Sequence, residues 1–279
     1  MPNHVLSRLL GRITANIFLI VVSIGSILPI FWVLYSSLKS NDEFINNILS
    51  FPTTLQFDNY VKAFVIAKMS SYFYNSLMNT VITVIFITLF SFFLGFFLAR
   101  VHSKVMRVIY YSLLAGMLIP IHSLLVPTFM LFKELELLNK FYTLWLPYIA
   151  FGLPLPVFLV DSFVRNISKE IEEAAYMDGS NIHQLIFKII MPLCRPVFAT
   201  VVILSILSVW NELVYALVLL NSETYRTLPI GLTYFTTQYS TIWTLQMAGM
   251  VIASTPIIVV YMFLSKRVMQ GMTAGAVKV

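Results

Sequence analysis

The chain has 279 residues, 59% hydrophobic and only 11% charged, against roughly a quarter charged in ordinary soluble domains. A mean hydropathy of +0.86 excludes a soluble globular protein and implies a polytopic membrane protein. The formal charge of +6 is distributed over loops rather than gathered in one patch, which argues against a nucleic-acid partner, and the single cysteine, Cys194, excludes an intrachain disulfide framework.

Arg8 and Arg12 precede an uncharged run from Ile13 to Leu38. That run outlasts the roughly 7–15-residue apolar core of a secretory signal, so it reads as a first membrane span over about 14–38. A bilayer needs about 20 apolar helical residues, and helices are the natural solution because lipid offers no partner to unpaired backbone groups. Five further stretches qualify, at about 76–99, 108–132, 141–164, 196–220 and 243–264. The fold class expected is all-α, with six transmembrane helices. Residues 1–75 hold the first helix and a long external loop, where Asp42, Glu43 and Asp58 stand against Lys39, Lys62 and Lys68; residues 76–279 form the core.

Prolines 29, 120, 127, 147, 154 and 156 fall inside the spans. Each removes a helical hydrogen bond and favours a kink, so bent helices around a cavity near the midplane are expected, with the fourth span strongly distorted over Gly152–Pro156. His122 stands alone between two of these prolines and reads as a packed polar residue, while Asp161 and Arg165 have the spacing of a helical ion pair. With the N-terminus inside, 12 of the 18 Lys and Arg residues fall on the cytoplasmic side and 6 outside. The positive-inside rule therefore puts both termini in the cytoplasm, together with the polar loop at about 165–195.

That loop reads as two short helices. Ser168 can cap the first, with Glu170, Glu172 and Glu173 complementing the helix dipole. Ile171, Ala174, Ala175 and Asp178 share one face, which the alanines keep thin enough for another surface to approach. Gly179 suits a left-handed helix end. Ser180 or Asn181 can cap the second helix, with Gln184 completing a capping box. Ile182, Leu185, Ile186 and Ile189 line one side of it, Pro192 stops it, and Pro196 opens the fifth span. Such a loop either lies against its own bundle or serves as a socket for another protein.

In the fifth span, Glu212 is a costly intramembrane acid and a functional candidate by default; Asn211 beside it can bond a hydroxyl, and the alternative is a structural pair between helices. The last external segment, 221–242, carries Tyr225, Tyr234, Phe235 and Tyr239, with Trp243 behind them. These form either an interfacial aromatic belt or a contact surface. No H-E-x-x-H, G-x-S-x-G or paired-cysteine pattern occurs, so neither catalytic residues nor a metal site is expected. The tail, Gly271 to Lys278, is not a phosphate loop, because Ala276 stands where a second glycine is needed.

Glu173-Ala174-Ala175, Gly179, Ile189 and Pro192 reproduce the spacing E-A-A-x3-G-x9-I-x-L-P, with Met191 in place of the leucine. This resembles the EAA loop of ABC importer permeases. Trp210-Asn211-Glu212, Thr227 to Leu232 (T-L-P-x-G-L), Phe151 to Pro154 and the tail are similar to segments of the smaller permease subunit of maltose-type sugar importers, over about 75–279. The resemblance implies a type I ABC importer permease fold in a bacterial or archaeal inner membrane, forming half of a translocation pathway that works by alternating access. It implies a second, homologous permease subunit, an extracellular or periplasmic sugar-binding protein, and two ATPase subunits that hold ATP and Mg, with no cofactor on this chain. Glu173, Ala174, Ala175, Asp178, Gly179, Ile189 and Pro192 would then couple to the ATPase. Asn211 and Glu212 become pathway candidates, and Tyr225, Tyr234, Phe235 and Tyr239 become contacts for the binding protein. Two other transport readings compete. A secondary, ion-coupled carrier would need a relay, for which Asp161, Glu212 and His122 are too scattered. An importer of a non-sugar solute would share the EAA spacing but not the W-N-E segment and tail.

Overall fold

The computed structural model describes residues 2–66, 68–235 and 242–276, and every regular element among them is helical. The chain divides into two compact units, one of residues 1–69 with 232–254 and one of residues 70–231 with 255–279.

The first unit opens with α1 (Pro2–Ser36), whose apolar stretch is exposed from Gly11 to Ile30. An apolar helix with no protein around it requires lipid or a second chain to cover it. The loop after α1 is a knitted cap. Its helices are α2 (Asn41–Asn46), started by the Ser40 hydroxyl accepting the Glu43 N–H, and α3 (Asp58–Ile66). Lys39 is fully enclosed; its ammonium donates to the carbonyls of Asn47 and Ile48 at 3.0 Å each and lies 5.3 Å from the Tyr35 ring centre. Burial pulls its pKa below the ordinary lysine value, against the opposing pull of Glu43. The Asn59 amide ties back to the carbonyls of Ser37 and Lys39, both at 2.8 Å.

The second unit is a helical bundle. In chain order come α4 (Met69–Arg100, whose first residue belongs to the other unit), α5 (Lys104–Leu118), a 3-10 turn at Ile121–Leu124, α6 (Leu125–Glu134), α7 (Trp145–Gly152) and α8 (Pro154–Arg165). Then follow α9 (Lys169–Met177), α10 (Ile182–Gln184), a π-helical turn at Leu185–Ile190, α11 (Met191–Leu193), α12 (Arg195–Trp210) and α13 (Val214–Leu219). After α14 (Leu228–Leu232, whose last residue belongs to the first unit), the long α15 (Trp243–Ala276), of which the first unit holds the residues up to Ser254, ends the described chain.

Among the described residues, three helices are singly long and apolar enough to cross a membrane, over Gly11–Ser36, Met69–Arg100 and Trp243–Leu264, and three bent pairs bring the number to at most six. The continuous third span expected at 108–132 is instead broken by 93° between α5 and the segment from Ile121. Pro120 lacks the N–H to continue the helix and drives Ile119 into extended geometry, φ −83° and ψ 121°. The fourth bends at Gly152–Pro154, where a strong distortion was expected, by 43°, the smallest of the three bends. The fifth ends as α12 at Trp210, ten residues short of its predicted limit, because Glu212 turns to cap α13.

The core around the lower half of α4 gathers Phe92, Phe96, Val160, Val164, Ala175, Leu185, Ile190 and Val201. Here α4 and α8 touch through Gly95: a Cβ at that position would lie 2.8 Å from the Val160 Cβ and 2.9 Å from the Asp161 nitrogen. A second cluster holds Phe132, Leu144, Tyr148, Tyr215, Ala216 and Leu219.

Candidate functional site

The loop between α8 and α12 folds as a helical elbow. The Ser168 hydroxyl accepts the Glu170 N–H at 3.2 Å and starts α9. The helix ends in a Schellman pattern, with Gly179 N–H on the Tyr176 carbonyl at 3.0 Å and Ser180 N–H on the Ala175 carbonyl at 2.9 Å. Gly179 takes φ +81°, the left-handed conformation that only glycine adopts without strain. Asn181 and Gln184 then form the reciprocal capping box, at 2.9 and 3.1 Å.

Two details differ from the sequence reading. First, Ala175 is buried in the bundle core, while Glu173, Ala174, Asp178 and Ile171 of the same helix are exposed and Met177 is 87% exposed. The helix therefore rests on its own bundle through Ala175 and offers a separate, thin apolar strip. Second, the helical run does not stop at Pro192, which lies half-buried within α11; the run reaches Leu193 and turns by 70° into α12. The preceding turn is π-helical, and its wider winding relieves the collision a proline ring makes with the carbonyl four residues back. In that register the buried side is Leu185, Ile186 and Ile190, with Ile189 half-buried and Ile182 exposed.

One arginine fastens the elbow to α4, and a second joins α8 to α4. The Arg100 guanidinium, at the end of α4, meets Glu172 of α9 at 2.5 Å and donates to the Ile167 carbonyl at 2.8 Å. The two side chains are only 10% and 14% exposed. Arg165 pairs with Asp161 at 2.8 Å, as its spacing predicted, and also donates to the Leu98 carbonyl of α4 at 2.9 Å. Nothing in the linear sequence pairs Arg100 with Glu172.

A second arrangement is a cavity of about 350 Å³ lined by Ile121, His122, Tyr148, Phe151, Asn211 and Glu212 among others. Glu212 is half-buried and its carboxylate is engaged: Tyr148 donates its hydroxyl to Oε2 at 2.5 Å, and the N–H groups of Tyr215 and Ala216 donate at 2.8 and 3.1 Å. It thereby caps α13, whose dipole favours a negative charge at that end. The exposed Asn211 commits its amide nitrogen to the Leu207 carbonyl at 2.9 Å. The break at Pro120 carries His122 onto this wall, so it is an exposed lining residue rather than the packed one expected. The chemistry on offer is hydrogen bonding. Glu212 is held as a structural acceptor, and Asp161 is committed to Arg165 elsewhere.

Of the aromatic candidates, Tyr225 ends a short 3-10 turn and is half-buried, and Tyr234 is 40% exposed. Phe235 is buried against the position of Gly249, so it is a packing residue here rather than an available contact. Tyr239 lies outside the described residues. Among the described residues no metal-binding group of His, Cys, Asp or Glu gathers.

The profile of the binding-protein-dependent transport system inner membrane component family matches residues 91–274, which takes in α8, the elbow, the cavity wall and most of α15. The chain belongs to that family. This permease is therefore a membrane component of a transport system. It is 34% identical over 259 residues to the probable starch degradation products transport system permease protein AmyC of Thermoanaerobacterium thermosulfurigenes, covering 93% of this chain and 94% of the relative. It is 30% identical over 271 residues to the arabinooligosaccharides transport system permease protein AraQ of Bacillus subtilis (strain 168), covering 96% of each. In structure the permease matches a chain of a bacterial ABC transporter involved in the import of the acidic polysaccharide alginate, with a TM-score of 0.80 at 23% identity over 93% of this chain and 96% of that one. The fold is that of a type I ABC importer permease.

Proposed function

We propose that this chain is a permease subunit of an ATP-driven, binding-protein-dependent sugar importer and forms half of its pathway beside a second, homologous permease. The observation that carries this reading is the elbow: a thin, exposed apolar strip on α9, hinged at Gly179 and fastened to α4 by Arg100–Glu172. A surface built to be gripped from outside and rigidly joined to the spans is what a separate ATPase needs to move them. The relatives' names, which speak of starch products, arabinooligosaccharides and alginate, support a carbohydrate cargo.

In this reading each bent pair counts as one crossing, giving six, with residues 1–75 as the leading segment and 76–279 as the core. Both termini and the elbow face the cytosol. Glu173, Ala174, Ala175, Asp178, Gly179, Ile189 and Pro192 form the coupling region. Two ATPase subunits hold ATP and Mg, while a periplasmic or extracellular sugar-binding protein docks outside, over surfaces that include Tyr225 and Tyr234. Asn211 and Glu212 stand on the pathway wall, the carboxylate chiefly shaping it and the amide facing cargo. ATP binding and hydrolysis shift the pair between outward- and inward-facing states through differential contacts.

Reconstitution with the neighbouring permease, ATPase and binding protein tests this. The expected result is uptake of a maltooligosaccharide or arabinooligosaccharide that requires ATP and is matched by sugar-stimulated ATP hydrolysis. Uptake by this chain alone, driven by an imposed proton gradient, would instead establish an ion-coupled carrier. ATP-dependent uptake of only a non-sugar solute would retain the permease and remove the sugar.

A further inference from the structure

From the end of α4 into α5 the chain reads Arg100-Val101-His102-Ser103-Lys104-Val105-Met106-Arg107. Arg100 is committed to Glu172 and the Ile167 carbonyl. His102 and Arg107 instead line a cavity of about 200 Å³, with Arg165 at the end of α8 on the same wall and Tyr110 and Tyr111 beside them. No acidic residue lines this cavity. His102 and Arg107 are exposed, and neither has an ion pair or a side-chain hydrogen bond among the described residues. The side chain of Arg165 is 47% exposed. It gives Nε and Nη2 to Asp161 and the Leu98 carbonyl, which leaves Nη1 without an acceptor among the described residues. Asp161 balances Arg165, and nothing balances Arg107. The Ser103 hydroxyl already accepts the Met106 N–H at 3.2 Å, so the side chains, not the helix end, carry the open charge.

Unbalanced positive charge selects an anion, and a guanidinium fork fits phosphate oxygens two at a time. Position selects which phosphate. The helix α4 is long and apolar enough to cross a membrane by itself, so its end at Arg100 marks a boundary of the bilayer. At helical spacing, Arg107 heads one stripe of α5 with Tyr111, Leu114 and Leu118. All four are exposed. A cation therefore sits at the head of an apolar strip that runs on towards the hydrocarbon, with two tyrosines at the boundary where such rings collect. A free phosphate would use the arginines and leave the strip bare. A phospholipid uses both. A zwitterionic headgroup would bring an ammonium for which the cavity has no acid, so the match is to an anionic one.

We propose that this corner is a binding site for an anionic phospholipid, in which Arg107 and Nη1 of Arg165 take the headgroup phosphate, His102 supplies a further donor, and an acyl chain lies along Tyr111, Leu114 and Leu118. The proposal rests on the membrane placement of α4 and α5 and is independent of the cargo.

The test uses the full-length permease in detergent, with dioleoyl phosphatidylglycerol and dioleoyl phosphatidylcholine supplied in equal amounts and retained lipid read by native mass spectrometry. The wild type is expected to retain phosphatidylglycerol preferentially. Arg107→Gln is expected to weaken that retention about tenfold, the effect of one charge-assisted hydrogen bond. Arg195→Gln removes an exposed cation that does not line the cavity and is expected to behave as the wild type does. Without lipid all three should unfold at the same temperature, and added phosphatidylglycerol should raise that temperature less in Arg107→Gln than in the other two. Equal losses from Arg107→Gln and Arg195→Gln would mean diffuse attraction and no site. Equal retention of the two lipids by the wild type would also overturn the proposal. Displacement of phosphatidylglycerol by inorganic phosphate alone would make the cavity a free-anion site and remove the lipid. If phosphatidylglycerol is not retained and Arg107→Gln instead weakens binding of the ATPase subunits, the patch is a protein contact and the lipid site falls. No readout here involves transport, so the importer reading stands whichever result is found.

Discussion

Arg100 and Glu172 stand 72 positions apart, and their 2.5 Å contact joins a transmembrane helix to the elbow in a place almost closed to water. Breaking a buried pair leaves an uncompensated charge, which costs about 3–5 kcal/mol. Arg100→Gln or Glu172→Gln alone should therefore lower the thermal unfolding temperature markedly, whereas the double variant, with neither charge left, should recover most of it. Unfolding curves of the four proteins in one detergent check this, and additive losses would show that the pair is not coupled. Glu212 poses a related question. Its three accepted hydrogen bonds, from Tyr148, Tyr215 and Ala216, make it a cap before it is anything else. Glu212→Ala should cost about 2–3 kcal/mol and loosen α13, while Glu212→Gln, which keeps one oxygen acceptor, should retain a good part of the stability. A stable Glu212→Ala protein would return Glu212 to the status of a free pathway acid. The sequence marked Glu212 because an acid in a span is conspicuous; it could not name Tyr148, which lies 64 positions away and has no pattern linking it to the acid.

The elbow was legible because its signals are local. Ser168, Gly179 and the Asn181–Gln184 box act within four residues of themselves, and all three do what their chemistry dictates. The π turn was not legible, since it answers to a proline beyond it and a core beneath it. The kinks were legible only in part, because a proline guarantees a lost hydrogen bond and leaves the angle to packing. Pro120 and Pro154 stand at breaks, whereas Pro29, Pro127 and Pro147 lie inside α1, α6 and α7. Gly179 has open space around its missing Cβ, so its requirement is conformational alone. Gly179→Ala should cost about 1–2 kcal/mol for the left-handed backbone, and Gly179→Asn less. Ala174 presents the opposite case. It is exposed, so Ala174→Leu should leave thermal unfolding unchanged while abolishing sugar-stimulated ATP hydrolysis in the assembled transporter. Normal coupling in that variant would mean that the ATPase grips another surface. Gly95 is steric: Gly95→Val would force α4 and α8 apart and should destabilise by about 1–3 kcal/mol, read by the same unfolding curves.

For the chain as a unit, composition settled the membrane class and loop charge gave a direction, but neither says which chain covers α1. Its apolar surface is exposed in this single chain, and lipid or another chain must meet it. The direction itself can be tested cleanly because the native thiol is silent. Cys194 is 0% exposed, packed among the core residues under the elbow, so an aqueous maleimide has no route to it in the folded protein. Met177, at the tip of α9, is 87% exposed. Met177→Cys should therefore provide the one reactive thiol. In inside-out vesicles a membrane-impermeant maleimide should label it, and bound ATPase subunits should protect it, since the strip it belongs to would then be covered. Right-side-out vesicles should stay unlabelled until they are opened. Labelling from the outside would invert the topology and take the elbow away from any cytosolic motor. Labelling from the inside with no protection by the ATPase would keep the topology and show that α9 is not the gripped surface.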